Sequence, residues 1–189
     1  MKRSGKTAKN NIAQPLTPLI GREQEVQLVC SLLQRPDVRL LTLTGIGGVG
    51  KTRLALSVVS ELVNTFTDGV AFVSLAAVSN PDLVIPALAQ ALGVRDTSEQ
   101  PLFMSLMAAL QDRHMLLVLD NAEQVVDAAP LLVELLSGCA QLKMLVTSRE
   151  VLRVRGEYEF LVAPLALPDL VQVPDPVSLS QYAAVELFV

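Results

Sequence analysis

The sequence predicts an α/β fold of three layers, in which a mainly parallel β-sheet lies between two layers of helices. Short aliphatic runs alternate with helix-like segments of about ten residues or more, which is the pattern of βαβ units. Hydrophobic residues make up 51% of the 189 residues and charged residues 18%, which excludes intrinsic disorder as the main state. Aromatic residues make up only 4% and tryptophan is absent, so the core must be aliphatic, which disfavours an aromatic-rich β-sandwich.

Five short runs, most of them apolar, are predicted to be the strands of this sheet. The first run is followed by glycine and is suited to a strand that is buried on both faces. Two later runs end in polar residues, which would lie at the carboxyl edge of a parallel sheet, where such sheets bind ligands. The predicted strands cover residues 39–44, 70–75, 115–119, 144–147 and 158–162.

The segments between these runs are predicted to be helices. The first carries Val26, Val29 and Leu33 at helical spacing. Asn80 suits an N-cap, with Pro81 at the first helical position after it. The predicted helices cover residues 21–33, 51–66, 81–92, 102–110 and 128–136.

The two ends of the chain differ in composition from its middle. Residues 1–17 are basic, rich in asparagine and interrupted by proline, which predicts a flexible lead-in. A nucleic-acid arm and a solvated linker both remain open for it, and the linker is favoured. Residues 18–163 are expected to form the folded domain. Residues 164–189 are predicted to be a proline-rich linker and the start of a truncated helical domain.

The overall charge argues against nucleic acid as the ligand of the folded domain. The net charge is −4, and beyond the first nine residues 11 basic residues face 19 acidic ones. An acidic body of this kind is poorly suited to neutralising DNA phosphates.

The two cysteines, Cys30 and Cys139, are expected to be small buried hydrophobes. No apolar run approaches 18 residues and no apolar signal segment is visible, so we expect a cytoplasmic protein without a membrane span.

One motif points directly to phosphate chemistry. Residues 45–52 match the pattern G-x-x-x-x-G-K-[ST] in full, between a predicted strand and a predicted helix. Glycines let the backbone amides approach phosphate oxygens, and the helix N-terminus attracts anions. The lysine would reach the β- and γ-phosphates, and the hydroxyl would ligate Mg²⁺. The predicted phosphate-binding residues are Gly45, Ile46, Gly47, Gly48, Val49, Gly50, Lys51 and Thr52.

Two further strand ends supply candidate partners for this loop. The third aliphatic run ends in Asp120, the Walker B pattern, and this carboxylate would hold the metal shell together with Thr52. The fourth run ends in the sequence Thr-Ser-Arg, where Arg149 is open to two interpretations, a γ-phosphate sensor and a surface arginine. His114 has no metal-ligand cluster near it in the sequence and is interpreted as structural.

At this point the chain resembles the STAND class of P-loop ATPases, which is related to the NB-ARC modules. It is most similar to the version found in large bacterial transcriptional regulators, including LuxR-type ones. The order and spacing of the matching stretches make the resemblance specific. They are residues 19–25, 50–55, 119–123, 147–150 and 164–168.

The resemblance implies further roles. It places Ile20, Gly21 and Arg22 at the base and ribose and extends the phosphate loop to Arg53. It assigns Arg149 to the sensor 1 position, facing the γ-phosphate. It also implies a P-loop NTPase sheet in the order 5-1-4-3-2, with the sensor strand between the Walker A and Walker B strands. The expected cofactors are ATP or ADP with Mg²⁺.

Two departures from the pattern bear on activity. Related motor ATPases carry a glutamate directly after the Walker B aspartate, whereas this chain has Asn121 there and Glu123 two residues later. The helical and winged-helix domains that follow in the family would close over the nucleotide, and without them the site stays open to water. We therefore expect slow hydrolysis. The residues predicted to carry it are Lys51, Asp120, Glu123 and Arg149.

The leading functional hypothesis is an ATP/ADP switch in a signalling or transcriptional regulator. Nucleotide-dependent self-association and contacts with the helical and winged-helix domains are expected, but no DNA binding by this segment. The main alternative is an efficient AAA-like ATPase, which Asn121 disfavours. A GTPase is a second alternative, but residues 147–150 do not form the Asn/Thr-Lys-x-Asp segment that reads guanine.

Overall fold

A parallel five-stranded sheet organises the domain. The computed structural model describes residues 17, 19–96, 100–166 and 184, so the predicted lead-in and most of the predicted linker lie outside the described residues. The strands are β1 (Leu40–Thr44), β2 (Val70–Ser74), β3 (Leu116–Asp120), β4 (Lys143–Thr147) and β5 (Glu157–Leu161). They follow the order β2-β3-β4-β1-β5, and every neighbouring pair is parallel. The predicted order 5-1-4-3-2 is confirmed, since it is the same order counted from the other edge.

Helices cover both faces of the sheet. They are α1 (Glu23–Gln34), α2 (Lys51–Leu62), α3 (Val84–Leu92), α4 (Leu102–Leu110) and α5 (Ala129–Gly138). Buried side chains of α1 and α2 pack on one face. Those of α3, α4 and α5 pack on the other face, so the three-layer prediction is confirmed. None of the helices in the described part of the chain is both long and apolar enough to cross a bilayer.

Two helices differ from their predicted bounds for local reasons. Helix α2 ends at Leu62 rather than at 66, because a turn closed by the Thr65 amide donating to the Leu62 carbonyl redirects the chain. Phe66 remains buried after that turn and packs in the core. The segment before α3 is a 3₁₀ turn (Pro81–Leu83), and the Asn80 side chain caps it by accepting from the Asp82 amide. The predicted cap therefore exists, one turn before the α-helix begins.

The central strands are buried on both faces, and this fixes where polar groups can lie. All five residues of β1 and all five of β3 are buried. Along β1, Leu41 and Leu43 face α1 and α2, while Leu40 faces the opposite layer. Because the strands are parallel, the segments that follow β1, β3 and β4 emerge at one edge of the sheet. That edge carries the predicted site residues of all three segments.

Replacing Leu41 with alanine tests the importance of this aliphatic core. Leu41 is fully buried in the centre of the sheet, so Leu41→Ala should lower the free energy of unfolding by about 2–5 kcal/mol. The matched control is Leu28→Ala on the exposed side of α1, which should change it by no more than about 0.5 kcal/mol. Urea denaturation followed by circular dichroism measures both. Equal losses in the two variants would contradict the assigned core.

Candidate functional site

The loop between β1 and α2 has a backbone that requires glycine. Gly45 has a φ of +146°, and a Cβ atom added there would lie 2.7 Å from the carbonyl oxygen of Val162. Gly50, which immediately precedes α2, has a left-handed φ of +98°. Residues with a side chain rarely adopt these conformations. The glycines at these two positions therefore let the chain turn from the strand into the helix with its amides at the sheet edge.

An open cleft of about 360 Å³ lies over this loop. It brings together the segments after β1, β3 and β4, which are far apart in the sequence. The lining residues among those described are Gly47, Gly48, Gly50, Lys51, Thr52, Arg53, Asn121, Glu123 and Arg149. Of the predicted binding residues, Gly45, Ile46 and Val49 belong to the loop without being among these lining residues.

The Lys51 side chain folds back over the loop. Its Nζ donates to the carbonyl oxygens of Gly45 at 2.7 Å and of Ile46 at 3.0 Å. Burial lowers the pKa of Lys51, the carboxylates of Glu123 and Asp120 raise it, and the cation of Arg149 lowers it. The ammonium group of Lys51 is therefore close enough to Glu123, Asp120 and Arg149 to interact with their charges.

Asp120 is a buried carboxylate held by two hydroxyl groups. Its Oδ1 accepts from Thr52 Oγ1 and from Thr147 Oγ1, each at 2.7 Å, and only 6% of the residue is exposed. Thr147 Oγ1 also accepts from the Asn121 amide at 3.0 Å, so this hydroxyl both donates and accepts. A hydroxyl and a carboxylate oxygen are hard ligands of the kind that Mg²⁺ prefers, and the adjacent Thr52 and Asp120 side chains fit that ion.

Thr147 is a member of this constellation that the sequence analysis did not select. Its signal was its position at the end of the strand that neighbours the Walker B strand, one residue before a buried serine and two before Arg149. Strand β4 lies between β1 and β3, so a polar residue at its carboxyl end reaches the Walker B carboxylate. The sequence marked the strand end but not which of its side chains contacts Asp120.

Glu123 and Arg149 form an ion pair across the cleft. The Nε of Arg149 lies 3.1 Å from Oε1 of Glu123; the arginine side chain is 68% exposed and the glutamate only 16%. Asn121 has a left-handed backbone with φ +63° and ψ +52°, and the 3₁₀ turn that follows it carries Glu123. This turn places the carboxylate over the cleft rather than in the strand.

Arg22 is buried beside the loop and bonds to the protein itself. Its guanidinium donates to the carbonyl oxygens of Val49 at 3.0 Å and Ala163 at 2.7 Å, and it pairs with Glu25 at 3.0 Å. It thus joins the start of α1, the phosphate loop and the segment after β5. These bonds make Arg22 a positioning residue in the structure, and its assignment to base and ribose stays a prediction, as it does for Ile20 and Gly21.

A second arginine fixes the segment that precedes α1. The guanidinium of Arg53 donates to the backbone oxygen of Thr17 at 3.0 Å and to its hydroxyl oxygen at 2.8 Å. Arg53 follows Thr52 in the first turn of α2 and also lines the cleft. Thr17 therefore lies beside the first turn of α2.

The fold and the arrangement at the sheet edge define a P-loop nucleotide-binding domain. Among solved structures, it is similar to Drosophila ORC bound to DNA (TM-score 0.55, 17% identity, covering 79% of this chain and 44% of that chain). It is also similar to Cdc6p from Pyrobaculum aerophilum (TM-score 0.53, 18% identity, 78% and 47%). At these identities the likeness concerns the fold alone.

The chain belongs to the NB-ARC domain family, whose model matches residues 22–158. It is 42% identical over 132 residues to a putative HTH-type transcriptional regulator of Mycobacterium bovis, covering 69% of this chain and 15% of that protein. It is 40% identical over 114 residues to the regulatory protein AfsR of Streptomyces griseus, covering 56% and 11%. The chain thus spans only about a seventh of the mycobacterial regulator's length. The resemblance drawn from the sequence motifs is confirmed.

Replacing Arg22 with alanine tests its positioning role. Arg22→Ala leaves the Val49 and Ala163 carbonyl oxygens without their charged donor, and such bonds contribute about 1.5–3 kcal/mol each. We expect the free energy of unfolding to fall by at least about 2 kcal/mol without nucleotide. The control is Arg153→Ala, whose side chain is 76% exposed and paired with Glu150, and which should have a much smaller effect. Equal, small losses in chemical denaturation would contradict the role given to Arg22.

Proposed function

We propose that this domain binds ATP and ADP with Mg²⁺ and acts as a nucleotide-dependent switch in a multidomain transcriptional regulator. The observation that carries the proposal is the contact between Thr52 and Asp120 at 2.7 Å. Thr52 follows Lys51 at the start of α2, where the glycine loop ends. This contact joins the two motifs that nucleotide binding requires, although they lie 68 residues apart in the chain. Membership of the NB-ARC family supports it.

Each part of the cleft has a role in the proposed complex. The amides of the loop and of the first turn of α2 would bind the phosphates, because a helix N-terminus favours anions. Lys51 would exchange its bonds to the Gly45 and Ile46 carbonyls for phosphate oxygens. Thr52 and Asp120 would hold Mg²⁺, which, when bound, neutralises charge on the phosphate oxygens. Arg149 would contact the γ-phosphate.

Slow hydrolysis is proposed because the cleft offers little to activate water. The residue after Asp120 is Asn121, whose amide side chain cannot accept a proton as a carboxylate does. Its left-handed backbone is held by the bond from its amide to Thr147. Glu123 is the other candidate for the role of base, but it is paired with Arg149. The efficient AAA-like ATPase is therefore the weaker alternative.

The switch depends on the difference between the two nucleotides. ATP has a γ-phosphate that can contact Arg149 and the metal, whereas ADP does not, so the two ligands can favour different states. The sequence relatives named as regulators are several times longer than this chain. We propose that the nucleotide state is transmitted to helical and winged-helix domains of a longer protein and to self-association, with DNA contacts made outside this domain.

Removing either the lysine or the aspartate should abolish Mg-nucleotide binding. Lys51→Ala deletes the cation of the loop, and Asp120→Ala deletes the carboxylate that accepts from Thr52 and Thr147. Isothermal titration with Mg-ATP and Mg-ADP measures the loss, and circular dichroism verifies folding. Asp112→Ala, in an exposed turn, is the matched control and should bind normally. Unchanged affinity in either site variant would refute the assigned site.

The proposed function also predicts adenine selectivity and slow turnover. The same titration should show tighter binding of ATP than of GTP, and equal or tighter GTP binding would reject the adenine assignment.

Turnover of the wild-type chain should remain below about 1 per second, the lower limit of ordinary enzymes. Faster phosphate release, measured in a coupled assay, would favour the efficient ATPase instead.

A further inference from the structure

We propose that the Glu123 carboxylate is an internal anion that competes with the terminal phosphate of ATP for Arg149. By occupying this arginine, Glu123 would weaken the binding of ATP relative to that of ADP and so set the balance of the switch. This inference rests on the proposed function and deepens it, because it makes Glu123 a specificity-determining residue rather than the residue that orients water.

The position of Arg149 is the first support. A Cβ atom added at Gly47 would lie 3.8 Å from one guanidinium nitrogen of Arg149 and 3.9 Å from its central carbon. The guanidinium group therefore lies directly against the phosphate loop. Its Nε is bonded to Glu123 across the cleft. A phosphate at the mouth of the loop would meet an arginine that already has an anionic partner.

The charges that face Glu123 are the second support. Glu123, Lys51 and Arg149 all line the same cleft, where burial lowers the pKa of Lys51 and the Glu123 carboxylate opposes that shift. Arg149 is the cation that the proposed complex directs at the γ-phosphate alone, whereas Lys51 would also bind the β-phosphate. Glu123 therefore pairs with the cation that would distinguish ATP from ADP. A negative phosphate entering this space would be repelled by the carboxylate and would have to displace it from Arg149.

The third support is that the carboxylate is incompletely bound. Oε1 of Glu123 contacts Arg149, whereas the buried Oε2 has no hydrogen-bond partner among the described residues. A carboxylate bound at one oxygen holds its arginine less firmly than a bidentate pair does. The arginine side chain is largely exposed, so it is free to turn towards a phosphate once the pair opens. The contact can therefore be broken by a competing anion.

The three interpretations of Glu123 predict different effects of Glu123→Gln on ATP affinity. If Glu123 orients the attacking water, Glu123→Gln lowers the hydrolysis rate and leaves the affinities unchanged. If it supports the metal shell, the variant weakens Mg-ATP binding. If it competes with the γ-phosphate, the variant strengthens ATP binding. ADP binding should not respond in the last case, because the loop amides take the α- and β-phosphates and only the γ-phosphate reaches Arg149.

The test is a titration of Glu123→Gln with Mg-ATP and Mg-ADP. Partly exposed ion pairs contribute about 0.2–1 kcal/mol, so we expect ATP to bind about 1.4- to fivefold more tightly, with ADP affinity unchanged. Glu150→Gln is the matched control. Glu150 follows Arg149 in the sequence but pairs with Arg153, and the variant removes the same charge as Glu123→Gln. It should leave both affinities unaltered. Thermal melting without nucleotide verifies that each variant is folded.

A double variant separates competition from a general charge effect. In an Arg149→Gln background, Glu123→Gln should give no further gain in the preference for ATP over ADP, because the contested cation has been removed. Weaker ATP binding by Glu123→Gln, or equal gains for ATP and ADP, would overturn the inference. If the wild-type chain binds no nucleotide, the proposed function fails as well. If the wild-type chain binds nucleotide and the variant does not change the ATP-to-ADP ratio, only the competition fails.

Discussion

The structure of the site depends on one buried carboxylate. Asp120 accepts hydrogen bonds from Thr52 at the start of α2 and from Thr147 at the end of β4, and it ends β3 itself. A carboxylate with 6% exposure is costly unless it is hydrogen-bonded, and these two hydroxyls both donate to its Oδ1. The same contacts hold together the three elements that form the cleft. The geometry of the phosphate loop therefore rests on this carboxylate as much as on its glycines.

The protein around the carboxylate restrains the loop from its other side. Gly45 lies so close to the Val162 carbonyl that no side chain fits between them, and Arg22 bonds to both Val49 and Ala163. The loop is thereby fastened to the backbone that leaves β5. A movement of Val49 in the loop would therefore also affect the hydrogen bond at Ala163, which precedes the proline-rich segment.

Much of the fold was predictable because its physical signals are local. A strand buried on both faces is mostly apolar along its length, and the runs that became β1 and β3 are apolar apart from Thr42, Thr44 and Asp120. The phosphate loop was predictable because its glycines, lysine and threonine are adjacent in the chain. The order of the strands came from the resemblance, since pairing between distant strands leaves no local signal in a single sequence.

Apart from the pairing of Thr52 with Asp120, the contacts between segments could not be predicted. Arg22 bonds to the backbone carbonyls of Val49 and Ala163. Nothing in the sequence distinguished it from an arginine that faces the ligand. Thr147 was recognised only as part of a polar strand end, and Glu123 was predicted to take part in hydrolysis. Their partners, Asp120 and Arg149, depend on the order of β3, β4 and β1 and on the left-handed turn at Asn121. Backbone direction at such a turn is decided by tertiary contacts, which a residue pattern does not encode.

The most direct test of this account is a crystal structure of the chain grown with saturating Mg-ADP. We expect electron density for the diphosphate within hydrogen-bonding distance of the amides of residues 47–52, with the metal beside Thr52 and Asp120. Lys51 should have left the Gly45 and Ile46 carbonyls for the β-phosphate. Nucleotide bound on another surface, or a loop that keeps its internal lysine bonds with no ligand at saturation, would contradict it.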